Sequence, residues 1–179
     1  MVRSEAVAIV ARLLNLNPGR CAALGQRAAE DGMLPVARGR AVPQLSQRDL
    51  AMLFLACVTD NGLGRVPQSI REFSALETES GIELSDVITN IFAGLVEPAA
   101  YVRGGLIFRL RPAGATLIVN DVRLTFGAAV PEDSVSTSVV VPGATLAALA
   151  FEFRGYSRSE AEAEIVRLIG AKPTAANAV

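Results

Sequence analysis

At Glu97-Pro98 the apolar residues of this chain change their spacing, from the 3.6-residue period of a helix to the two-residue alternation of a strand. Before that point Ala6, Ile9, Val10, Leu13 and Leu14 recur at helical spacing. After it, Leu106 to Leu110 alternates in and out. A chain that lists helices first and strands afterwards is expected to form an α+β fold with a small antiparallel sheet. The expected layout is a helical part over 1–97, a strand-rich oligomerisation region over 98–155, and a C-terminal helix and tail over 156–179.

Punctuation locates the elements. Ser4 is placed to cap a first helix running to Leu16, with Glu5 in its first turn. Asn17 is a good N-cap for the next, because Pro18 at the first helical position loses no needed N–H. Gly32 ends that helix near Asp31. Ser46 with Asp49 forms a capping-box pattern opening a third helix to Thr59. Its apolar residues go almost all the way round, so it belongs in a core or against another subunit. Pro67 to Leu76 reads as a fourth helix, and Ser85 as the cap of a fifth. Strands are expected over Leu106–Leu110, Ala115–Val119, Val122–Phe126 and Val135–Val141. Pro112-Ala113-Gly114 and Asn120-Asp121 supply their turns. Thr145–Phe151 reads as a short helix, and Ser157 with Glu160 caps the last one, which Gly170 ends.

Composition narrows the chemistry. The chain has 179 residues, 51% of them apolar, enough for a real core. It has no histidine, which removes the usual general base and metal ligand. No catalytic set, metal or cofactor is implied, and the expectation is a non-enzyme. Cys21 and Cys57 lie among apolar residues without CxxC spacing and read as buried thiols, with a disulfide or a reactive thiol as the alternatives. Ser134, Ser136, Thr137 and Ser138 have no base to activate them. Glu77, Glu79 and Glu83 read as solvated surface, Gly104-Gly105 matches no phosphate-loop pattern, and Arg109 and Arg111 fall on the outer face of a strand. No apolar run reaches membrane-spanning length and no signal peptide is evident, so a cytoplasmic protein is expected. Residues 1–66 hold eight arginines against five acids; residues 67–179 hold nine basic residues against thirteen acids. A mildly basic front suits a partner bearing phosphate.

The front also has a suggestive order of parts. A helix meets the break Asn17-Pro18-Gly19, a second helix follows, and Gly32-Met33-Leu34-Pro35 leads into Arg38-Gly39-Arg40. Arg20 and Arg27 are seven residues apart and project from nearly one side. The stretch from Arg20 to Pro35, followed by Arg38-Gly39-Arg40, resembles the reading helix and basic wing of winged-helix, helix-turn-helix regulators. The resemblance covers about 40 residues. It departs from the family pattern in having two helices before the wing, where a third donated from Leu50–Thr59 would complete the bundle. It implies double-stranded DNA as partner, with Arg20, Gln26 and Arg27 toward base edges, Asn17 and the first-turn N–H groups on phosphate, and Arg38 and Arg40 on the backbone. A homodimer would supply two half-sites. The alternatives are a small-terminase-like packaging component of a phage or mobile element, and a structural or adaptor protein with no nucleic-acid role.

Overall fold

The computed structural model describes residues 1–36, 42–129 and 136–171. The expected loop with Arg38 and Arg40, the Ser134-Val135 approach to the last strand, and the tail beyond Ala171 lie outside these residues. Helix α1 (Arg3–Leu13) starts earlier than its serine suggests. Val2 is the N-cap, held by an isolated bridge to Gln44, while Leu45 N–H donates to the Met1 carbonyl at 2.8 Å. That long-range pairing sets the helix start, so Ser4 lies inside the helix and does not cap it. Helix α2 (Pro18–Glu30) begins as read: Asn17 Oδ1 accepts from Arg20 N–H at 3.0 Å, and Pro18 occupies the first turn. Gly32 takes φ +76° at its exit, where residues with a Cβ are strained.

Helix α3 (Gln47–Val58) has the expected capping box, and every residue from Leu50 to Val58 is buried. Its cover comes from the same chain. Helices α1, α2, α4 (Val66–Ser74) and α5 (Leu84–Ala93) all pack on it. Helix α5 opens at Glu83, not Ser85. The Glu77–Glu83 bridge, with Leu84 N–H donating to Leu76 O at 2.8 Å, fixes that start. The period change at Glu97-Pro98 holds one surprise, a single helical turn, α6 (Pro98–Tyr101), before the first strand.

The strands β1 (Gly105–Leu110), β2 (Ala113–Val119), β3 (Val122–Phe126) and β4 (Ser138–Pro142) form one antiparallel sheet in the order β3-β2-β1-β4. Asn120 and Asp121 both have positive φ, 47° and 64°, as a two-residue hairpin of type I′ requires. Ala113 and Gly114 belong to β2 instead of the preceding turn. The Arg109 guanidinium lies across the glycine, where an added Cβ would push it aside. Leu106, Phe108, Ala115, Leu117, Phe126 and Val141 share the inner face and are buried. Helix α7 (Gly143–Phe153) is longer than expected and almost wholly buried, whereas α8 (Arg158–Gly170) buries only Ala161. Arg12 of α1 pairs with the buried Glu152 of α7.

Aromatic rings tie the helices to the sheet. Phe54 meets Phe92 edge-on at 5.5 Å and Phe108 at 6.0 Å; Phe108 meets Phe73 at 5.9 Å, and Phe92 meets Phe153 at 4.9 Å. One hydrophobic cluster therefore runs from Ala6 to Ala161, across both expected boundaries at 97/98 and 155/156.

Candidate nucleic-acid interface

Helix α3 packs on both α1 and α2. The first two helices are arranged as an αα-hairpin. Arg3, which opens α1, donates to Gln26 Oε1 at 2.9 Å, although Gln26 sits in the third turn of α2. At 1.5 Å per residue these two positions lie about 15 Å and about 12 Å from the connecting turn. Their side chains meet at that separation from the turn, which draws the two helices alongside one another. Small residues allow the closer packing. A Cβ at Gly25 would lie 3.1 Å from Leu53 Cδ1 and 3.8 Å from Val7 Cγ2, so α2 is pressed against its neighbours. The outer side of the hairpin is a groove of about 740 Å³ floored by Val7, Ala8, Gly19, Ala22 and Ala23.

Each sequence-predicted residue now has a position. Arg20 turns toward the loop that follows α3. Its Nε and Nη2 donate to the two carboxylate oxygens of Asp60, each at 2.7 Å. Asp60 follows α3 in the loop Asp60–Gly62, whose Gly62 N–H donates back to Asp60 Oδ1 at 3.0 Å. The Arg20 hydrogen bonds, helped by that N–H, hold the Asp60 carboxyl below its ordinary pKa, and Asp60 raises that of Arg20 in return. The Arg20 side chain nonetheless stays 40% exposed. Side-on pairing consumes Nε and one edge of Nη2; Nη1 and the outer edge of Nη2 keep their donors.

The other polar residues singled out on α2 are paired within their own neighbourhood. Arg27 donates to Glu30 at 3.2 Å, and Gln26 bridges Arg3 and Glu30. Those two donors lower the Glu30 pKa. Asn17 caps α2: its side-chain oxygen accepts from Arg20 N–H, which leaves its Nδ2 donors free of that contact and the Gly19 N–H uncapped by it. Arg111 is a correction. It leaves the sheet at the β1–β2 turn and donates to Asn61 Oδ1 at 2.6 Å. Arg109 folds over its own turn, donating to the Pro112 and Ala128 carbonyls.

Sequence reasoning missed Asp60 and Asn61. These adjacent residues gather one guanidinium from α2 and another from the sheet, forty and fifty residues away, and the exposed Arg65 closes the same loop. No local signal could have shown it, because neither residue lies in a recurring motif. Among the described residues there is no cluster of three or more His, Cys, Asp or Glu side chains suited to a metal ion, and no helix long and apolar enough to cross a membrane. Comparisons with family models, curated proteins and solved structures found no match to this chain.

Proposed function

We propose that this protein binds double-stranded DNA through its N-terminal helices and acts as a regulator. The observation that supports the reading is the braced Arg20. A carboxylate grips its guanidinium from the side, which fixes the side chain while leaving its outer end able to donate to a second acceptor. Such an end fits guanine O6 and N7 or two phosphate oxygens, and a guanidinium already held in place loses less entropy on binding. Arg111, reaching over from the β1–β2 turn to Asn61, adds positive charge on the loop that holds Asp60. Arg38 and Arg40, next in sequence after α2, supply backbone contacts in this reading.

A homodimer belongs to the proposal because one short helix makes few base contacts. Helix α3 no longer needs a second copy for cover. Apolar surface for dimerisation exists instead on the outer sheet face, with Ile107, Ile118 and the 61%-exposed Val140, and on α8, with Val166 and Ile169. The competing reading is an adaptor without nucleic-acid contacts. It is favoured by the internal pairing of Gln26 and Arg27.

The test is fluorescence anisotropy on duplex DNA, using genomic fragments that include the DNA around the protein's own gene. Binding should weaken steeply between about 50 and 200 mM salt as phosphate counterions are released. Absence of binding to any fragment at the lower salt would favour the adaptor.

A further inference from the structure

The sheet has two edges, β3 and β4, and they differ. On β3, Arg123 is exposed and Gly127 N–H donates to the Glu77 carbonyl at 2.8 Å, so a charge and a covering segment blunt that edge. Among the described residues β4 has neither. Residues 136–142 include no charged side chain, and Ser138, Val140 and Pro142 are exposed. Two hydrogen bonds fix which backbone groups of β4 are spent. Leu110 N–H donates to the Thr137 carbonyl at 2.8 Å, and Gly143 N–H donates to the Gly104 carbonyl at 2.9 Å. Both continue the β1–β4 register, in which Phe108 meets Val139 and Leu106 meets Val141. In an antiparallel ladder such bonded pairs recur at every second residue, so the odd-numbered residues of β4 bond to β1. The N–H groups of Ser138 and Val140, and the carbonyls of Ser138, Val140 and Pro142, therefore point away from β1 across the open edge. We infer that this edge pairs with the same edge of a second copy of the chain, antiparallel and centred on Val140, joining two four-stranded sheets into one continuous sheet.

A second copy fits because the edge is self-complementary. About a twofold axis at Val140, each Val140 N–H meets the Val140 carbonyl of the other copy. Each Ser138 N–H meets the Pro142 carbonyl of the other copy. Pro142, which has no N–H to give, is asked only to accept. This register uses the whole of β4, Ser138–Pro142, and brings no charge on the strand against another. A register centred on Pro142 would set two residues without N–H groups against each other and lose the central bonds. Side chains agree with the backbone. Val140 is 61% exposed and lies beside Ile107 on the outer face of the sheet. Across the axis the order becomes Ile107, Val140, Val140, Ile107, one apolar row at the strand spacing of about 4.8 Å. The pairing specifies the homodimer proposed above and rests on that reading for any role in DNA binding; the contact itself needs no DNA.

Five-residue strands and one apolar row make an interface at the small, weak end of the range, so sedimentation of the full-length protein should give monomer at about 1 µM and mostly dimer at about 200 µM. Val140→Glu sets two carboxylates against each other at the axis and should stay monomeric throughout, with an unchanged circular dichroism spectrum. Val140→Pro should do the same, because the N–H it removes is not used within the chain. Val140→Cys supplies the positive test. Directly opposed residues of a hydrogen-bonded antiparallel pair have Cα atoms about 5.5 Å apart, within disulfide reach. Mild oxidation should therefore give a covalent dimer, with the substituted peptide joined to itself, that dithiothreitol reverses. Val122→Cys on β3, where the native valine is 60% exposed, should give at least about tenfold less. A protein still monomeric at the higher concentration would overturn the inference. So would a dimer that survives both Val140→Glu and Val140→Pro, or equal cross-linking from the two edges. A dimer lost in both variants but not cross-linked through position 140 would overturn the register. Loss of the dimer with undiminished DNA affinity would uphold the strand pairing and remove the two half-sites from the DNA reading. A dimer that binds no DNA would uphold the pairing and sink that reading.

Discussion

Truncating Phe54 separates two accounts of why α3 is apolar on every side. If another subunit covers the helix, Phe54→Ala should dissociate the protein. If the chain covers it, the substitution should destabilise the fold itself. Phe54 is fully buried between Phe92, perpendicular to it at 5.5 Å, and Phe108 at 6.0 Å. Phe→Ala at such a site costs about 3–5 kcal/mol, lost transfer energy and residual cavity together. Against a total stability of about 5–15 kcal/mol the variant still folds, but close to its limit. Phe54→Leu keeps most of the volume and should cost less than about 1.5 kcal/mol. Combined with Phe108→Leu in a double-mutant cycle, it should reveal a coupling of about 0.5–1.5 kcal/mol from the lost ring pair. Urea unfolding followed by circular dichroism measures each term, at two protein concentrations a decade apart. Midpoints should not depend on concentration in any way that Phe54 alters. A Phe54→Ala protein with an unchanged midpoint and a halved mass by light scattering would refute the in-chain cover.

Three further outcomes follow from individual sites. The hydroxyl of Tyr101 is buried with no hydrogen-bond partner among the described residues, and burial pushes its pKa up to about 12; Tyr101→Phe should therefore raise stability, by up to about 1–3 kcal/mol, and a lower urea midpoint would count against this. The Asp60 pKa is depressed by Arg20, so its contribution is present above the unfolded carboxylate value of about 3.9 and is lost as pH falls through the lower folded value. Asp60→Asn should flatten the acid limb of the stability curve below that pH, and identical limbs would contradict it. Arg38→Ala and Arg40→Ala should each lower the slope of log affinity against log salt by about 1, equally on all DNA sequences; unchanged slopes would remove the basic loop from the interface.

What could be read from the sequence was what local chemistry decides. Asn17-Pro18, Ser46 with Asp49, and Ser157 with Glu160 each satisfy N–H groups within one turn, and all three open helices where the spacing placed them. The Asn120-Asp121 hairpin is local in the same way. Ser4 and Ser85 look equally good as caps. They lose to the Val2–Gln44 and Glu77–Glu83 bridges, which start those helices from outside. The burial of α3 was legible, but the cover came from α4 and α5 as well as α1 and α2, and no periodicity names a distant partner. The candidate site follows the same division. The positions of Arg20 and Arg27 on α2 could be read from their spacing. The carboxylate that turns Arg20 aside lies forty residues on, and Arg111 reaches its loop only because β1 ends one residue before it.

The central claim is that Arg20, braced by Asp60, presents its outer donors to DNA. Anisotropy titrations of a bound genomic fragment with unmodified protein, Arg20→Ala, Arg20→Lys and Asp60→Asn test it most directly. Arg20→Ala should weaken specific binding about five- to hundredfold, as when a bidentate contact is lost. Arg20→Lys should rescue little of it, because a lysine ammonium lacks the planar fork that meets Asp60 with two bonds on one side and a second acceptor with two on the other. Asp60→Asn should weaken binding too, even though it removes a negative charge from the interface, because the brace is lost. If Asp60→Asn instead binds more tightly and Arg20→Ala binds as well as the unmodified protein, the pair is only a fold-stabilising contact and the DNA reading of this site is contradicted.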